Sequence, residues 1–179
     1  MMFRLLNGRS VERALFNEVT ALRWQACAVA AEIARRHEAG EPFDRPFFTL
    51  WPLSEPTVYA ATGARSFGLL SGAARTRLHY FHGQLAAART RMRRAEAAGG
   101  FEPSPYRVLS NLVRSKYELD PWVLALRPRL GGMLEDEPDI RAANNLVAKF
   151  EDAGSEPIAV AYCPADCAYG PNETDQPIA

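Results

Sequence analysis

Two histidines, His79 and His82, stand three residues apart in a stretch of helical spacing. That separation puts both imidazoles on one side of a helix, within reach of one metal ion. A zinc or iron site needs a third ligand, and usually a fourth. No Glu-x-x-His or His-Glu-x-x-His pattern supplies one. The default reading is a pair of surface or part-buried histidines flanking Phe81, with no metal and no cofactor. Cys163 and Cys167 close the sequence Cys-Pro-Ala-Asp-Cys. Their spacing is not the Cys-x-x-Cys of redox sites, and no second pair completes a zinc site, which leaves a disulfide under oxidising conditions as what the pair could form. Cys27 lies in a small, apolar run and reads as a core residue. The chain has no Ser-His-Asp context, nucleophile elbow, P-loop or dinucleotide-binding glycine fingerprint. An enzymatic site would have to be assembled across the fold, with no local pattern to announce it.

Charge is balanced overall but uneven along the chain. Lys and Arg total 21, Asp and Glu total 21, and the formal net charge is zero, so no global field draws the protein to nucleic acid or to an anionic membrane. Between Ser71 and Arg94, however, stand Arg75, Arg77, Arg89, Arg91, Arg93 and Arg94 with no acid among them. From Glu151 to the end there are six acids and no Lys or Arg. The arginines could meet phosphates, with Tyr80 available for stacking. They are spread around the helix, Arg91 and Arg94 sharing one side and Arg89 and Arg93 another. The plainer expectation is a solvated face whose charge is met by Glu12, Glu18, Glu32 and Glu38. The acidic tail could also fold over this helix and mask it.

The elements that would carry these residues are legible from apolar periodicity. Leu15, Val19, Leu22, Ala26, Val29 and Ile33 recur in steps of four and three, as do Ala74, Leu78, Phe81, Leu85, Ala88 and Met92. Each series keeps one helix side apolar and predicts long helices over Val11–Ala39 and Gly72–Ala98. Ser10 is placed as the first N-cap, Gly40 as the stop, and Gly99-Gly100 as the second stop. Glu41 to Leu70 forms a proline-punctuated connection rich in aromatics, with a short helix from Ser54-Glu55-Pro56 to about Thr62. Phe47, Phe48 and Trp51 either close the end of the core or anchor a partner or a membrane interface. Beyond the second helix, Val108, Leu109, Leu112, Val113 and Tyr117 predict a third segment. Asp120-Pro121 reads as the start of a short helix, and Glu137-Pro138 as the start of a last one with Ile140, Ala143, Leu146, Val147 and Phe150 on a face. Ile158–Tyr162 is a brief extended arm, and residues 163–179 read as a tail.

The order of Glu18, then Leu53…Glu55-Pro56-Thr57-Val58-Tyr59, then Phe67-Gly68-Leu69-Leu70, then Leu78…Tyr80-Phe81…Leu85 resembles small uncharacterised helical domains that often follow a transmembrane anchor in bacterial proteins. The resemblance covers about residues 11–95 and implies a helical fold. Those domains carry no assigned chemistry, so it implies no catalytic residue.

Together these readings predict an all-α protein. Two long helices form an antiparallel, hairpin-like core with a short connecting helix, and two or three shorter helices pack at the C-terminal side. Residues 1–153 form one helical domain (long-helix core 11–98, C-terminal helices 104–151) and 154–179 an acidic Pro/Gly-rich tail. No signal-peptide core or membrane-spanning run stands in the sequence, which gives a soluble, cytoplasmic expectation. Arginine and alanine richness suggests a bacterial coding sequence. The expected function is interaction: a scaffold or regulatory module meeting a protein partner, or itself as a homodimer, through Phe47, Phe48, Trp51, Arg89 and Arg93. The alternatives are nucleic-acid binding by helix 72–98, and an enzyme with a dispersed site.

Overall fold

The computed structural model describes residues 8–62, 68, 70–130 and 137–153. The cysteine pair Cys163/Cys167, the extended arm, the acidic tail and most of the Phe67–Leu70 turn lie outside them. Among the described residues the chain is all-helical. The elements are α1 (Gly8–Ala39), α2 (Arg45–Leu50), α3 (Val58–Ala61), α4 (Gly72–Ala98), α5 (Tyr106–Leu130) and α6 (Arg141–Asp152).

The apolar series do what their spacing demands. Every residue of the two seams, from Leu15 to Ile33 and from Ala74 to Met92, is buried. Gly40 ends α1 with a φ of 65°, and Gly99 ends α4 with a φ of 80°. Both are in the left-handed region, where a residue without Cβ carries little penalty. The amide of Gly100 closes the α4 terminus on the carbonyl of Ala95 at 2.8 Å. At the other end of α4, the Ser71 hydroxyl accepts from the Ala74 amide at 3.2 Å. Ser10, by contrast, is no cap: α1 is already helical at Gly8.

Two features depart from the expected layout. Residues 106–130 form one helix that runs straight through Asp120-Pro121. Pro121 has no amide to give the Tyr117 carbonyl, but it stands on the exposed side, where water can serve that oxygen. On the inner side Leu119, Trp122, Val123 and Leu126 are all buried. At roughly 1.5–3 kcal/mol per buried large apolar side chain, their burial outweighs the roughly 3 kcal/mol cost of an interior proline.

The second departure is direction. Glu18 of α1 and His82 of α4 meet the same residue, Tyr59; Gln25 of α1 and Arg89 of α4 meet the same residue, Ser54. Beyond the two helix ends, Phe43 meets Phe101. Residue numbers therefore rise together along both helices, and α1 and α4 are parallel, not antiparallel. The 32-residue passage from Gly40 to Ser71 is long enough to carry the chain back to the starting end. The hairpin is instead made by α4 and α5, joined by residues 99–105. Arg77 near the start of α4 donates to the Glu118 carbonyl halfway along α5, and the short turn from Gly99 to Tyr106 joins the end of α4 to the start of α5. Helix α5 is the closest backbone neighbour of both long helices, and α6 lies against α1 and α5. One apolar cluster runs through all of these except α3, whose Val58 and Tyr59 pack against it.

The aromatic connection closes the end of this core. Asp44 caps α2 by accepting from the Phe47 amide at 3.2 Å. Phe47 is fully buried, and Phe43, Phe48 and Phe101 pack around it edge-on, with centroids 5.0–6.2 Å apart.

Candidate functional site

The densest polar constellation lies where residues 51–62 cross between α1 and α4. Thr57, Val58 and Tyr59 all present their amides to the Glu18 carboxylate, at 2.5, 2.5 and 2.8 Å. The Thr57 hydroxyl donates to it as well, at 3.1 Å. Burial works to raise the pKa of Glu18, but these donors prevail and hold it below the ordinary carboxylate range. A carboxylate so committed serves as a clamp and not as a proton donor. About two turns further on, Gln25 accepts from the Ser54 amide at 2.8 Å and donates to its hydroxyl at 3.2 Å.

From the α4 side, Arg89 donates to the Ser54 carbonyl at 3.0 Å and pairs with Glu55 at 3.2 Å. Arg93 pairs with the same carboxylate at 2.5 Å. Tyr59 stacks on the His82 ring with centroids 3.7 Å apart, and its hydroxyl lies 3.5 Å from His79 Nδ1. The two histidines thus share a tyrosine. His82 is 4% exposed, and neither ring nitrogen has a hydrogen-bond partner among the described residues. Desolvation pushes its pKa down to about 4, against a smaller opposite pull from Glu18. His82 is a neutral, buried ring at ordinary pH. Among the described residues no three His, Cys, Asp or Glu side chains converge in a way that could hold a metal ion.

A second polar cluster lies between α1, α5 and the residues before α6, with Arg23 at its buried centre. Arg23, 5% exposed, meets Asp120 at 2.5 Å and Glu137 at 2.6 Å. Lys116 stands 3.5 Å from Asp120 and 3.9 Å from Glu137. Two cations face two anions, which is how buried charge survives. Cys27 lies in their field, and burial pushes its thiol up to about 12, so it is no nucleophile.

The residues expected to meet a partner therefore fare differently. Phe47 and Phe48 are core, Trp51 is half-buried against it, and Arg89 is buried and bonded inward. Arg93 is exposed and already paired with Glu55. Of the α4 cations, Arg89 and Arg93 are met by Glu55 of the connection, whereas Glu18 holds backbone amides and Glu32 holds Arg35 and Arg36.

Among the described residues four large apolar side chains stand exposed, Trp24, Leu50, Tyr117 and Leu124, and the last two share one helix. On α5, Tyr117 is 48% and Leu124 65% exposed, with Pro121 exposed between them. Positions 117, 121 and 124 share a helix face. The spacing groups Tyr117 with Leu112 and Val113, but the buried side of α5 turns through Ser115 and Leu119 and leaves Tyr117 outside. Between α4 and α5 an open groove of about 350 Å³ is lined by Ala86, Ala87, Thr90, Arg91, Arg94 and Arg107. Only the shared side of Arg91 and Arg94 was visible in sequence; Arg107 joins them because α5 turns back on α4. No described helix is long and apolar enough to cross a membrane. In comparisons with protein families, curated proteins and solved structures, the chain matches none.

Proposed function

We propose that this protein is a non-enzymatic interaction module, and that the surface it offers is the outer face of α5, taken by a second copy of the chain. The observation that carries this reading is the exposed run of Tyr117, Pro121 and Leu124 on the helix that is most embedded in the fold. Apolar groups in steps of four and three are the pattern by which helices pack on helices. Such a stripe on one continuous helix can be laid against its own copy about a two-fold axis. The Tyr117 hydroxyl accepts from Asn144 at 2.6 Å, and the Lys116 ammonium lies 5.0 Å above its ring. The aromatic is thereby held in one orientation, which lowers the entropy lost when a partner covers it. A soluble, cytoplasmic setting goes with this reading.

The test is mass in solution by light scattering across a dilution series, for the native chain and for Leu124→Glu. Leu124 is exposed, so the substitution leaves the fold within about 0.5 kcal/mol. The native chain is expected to reach twice its 19.8 kDa at high concentration, and the variant to stay at the mass of one chain. Equal masses for the two proteins at every concentration would overturn the α5 surface.

A further inference from the structure

We infer that the groove between α4 and α5 is a binding site for a small, multiply charged phosphate compound, held by Arg91 and Arg94 of α4 and Arg107 at the start of α5. The six arginines of α4 do not form one basic face. Arg77 donates to the Glu118 carbonyl, and Arg89 and Arg93 are committed to Glu55. Arg91 and Arg94 are left at one spot, and the antiparallel return of α5 brings Arg107 to it. The charges that act on Arg91 are Arg107 and Arg94, and both disfavour its charged form, as does its partial burial. Arg107 has a further interaction of its own and still adds its charge here. Like charges gathered in a concave place are stabilised by an anion that meets them together, and guanidinium groups match phosphate oxygens two at a time.

The groove also has room. Ala86 and Ala87 keep the α4 wall low, and the Thr90 hydroxyl is held back on its own helix by donating to the Ala86 carbonyl at 3.0 Å. A volume of about 350 Å³ suits a pyrophosphate or nucleotide-sized group. Only Arg75, well removed along the helix, remains to extend the charge, so the site is compact and does not track a strand.

Calorimetric titration of the full chain with inorganic pyrophosphate at low salt tests this, with Arg91→Gln, Arg94→Gln and Arg75→Gln beside the native protein. Saturable one-to-one binding is expected, weakened about tenfold or more by either groove substitution and unchanged by Arg75→Gln. Thermal melting of each variant shows that the fold is kept, since these side chains reach outward. Absence of saturable binding, or a native-like affinity in both groove variants, overturns the assignment. A single-stranded oligonucleotide is titrated in parallel. If it binds while pyrophosphate does not, and Arg75→Gln weakens it as much as Arg91→Gln, the compact site falls in favour of a nucleic-acid surface. Anionic phospholipid vesicles make the remaining arm: binding to these without binding to pyrophosphate also overturns the soluble ligand.

Discussion

Acidification below pH 6.5 should destabilise this protein through one side chain, His82. Its ring is stacked on Tyr59, 4% exposed, with neither nitrogen hydrogen-bonded among the described residues. Charging it in place is opposed first by burial, then by Arg89 and His79, with Glu18 the group that favours it. The folded pKa of about 4 lies below the ordinary histidine value of 6.5. The unfolded chain therefore binds the proton more readily, and stability rises with pH across this interval. The contribution is whole above pH 6.5 and is lost as pH falls toward 4. At about 1.4 kcal/mol per pKa unit, about 2.5 kcal/mol has gone by pH 4.5. For a chain of this length that lowers Tm by about 5–10 °C. Thermal melts between pH 7.5 and 4.5 read the effect. The comparison is with His82→Phe, which keeps a ring against Tyr59, and with His82→Gln, which cannot take the proton. Both variants should lose most of the slope between pH 6.5 and 4.5. The carboxylates held low in the fold, Glu18 and Glu32, make their own losses only below their ordinary value of 4.5. A slope that persists undiminished in both variants refutes the assignment to His82.

Glu18→Gln should loosen the 51–62 crossing and cost about 2–3 kcal/mol, since a charged acceptor for three amides becomes a neutral one. Amide exchange at Thr57–Tyr59 should rise more than exchange in α5. Arg23→Met should destabilise by about 1–3 kcal/mol, since Asp120 and Glu137 lose their nearest cation and keep only Lys116, and the triple change to apolar residues at 23, 120 and 137 should recover much of it in denaturant melts. Cys27, buried with its thiol pushed up to about 12, should resist a thiol reagent at pH 8 until the chain unfolds. Its labelling rate should follow denaturant concentration.

The same contrast runs through the fold and the surfaces on it. Local physics is written in the sequence. The seams of α1 and α4 follow from a side-chain period that any solvent would read, and Gly40 and Gly99 stop helices because few other residues adopt their backbone angles at low cost. The last helix buries the face its spacing names, with Ile140, Ala143, Leu146 and Val147 inside. What spacing cannot carry is the choice among long-range arrangements of similar local cost. The passage from Gly40 to Ser71 permits either direction for α4. Clasping residues 51–62 with Glu18, Gln25 and Arg89 selected the parallel one. Pro121 reads locally as a break and became the outer side of an unbroken helix, because the apolar residues beside it had a core to enter. On spacing alone Phe47 and Phe48 could close the core or anchor a partner, and the choice fell to the core because they face Phe43 and Phe101. The arginine groove shows the limit most sharply. Two of its charges lie one turn apart on one helix, while the third arrives from another only when α5 folds back, and no pattern in one dimension records that meeting.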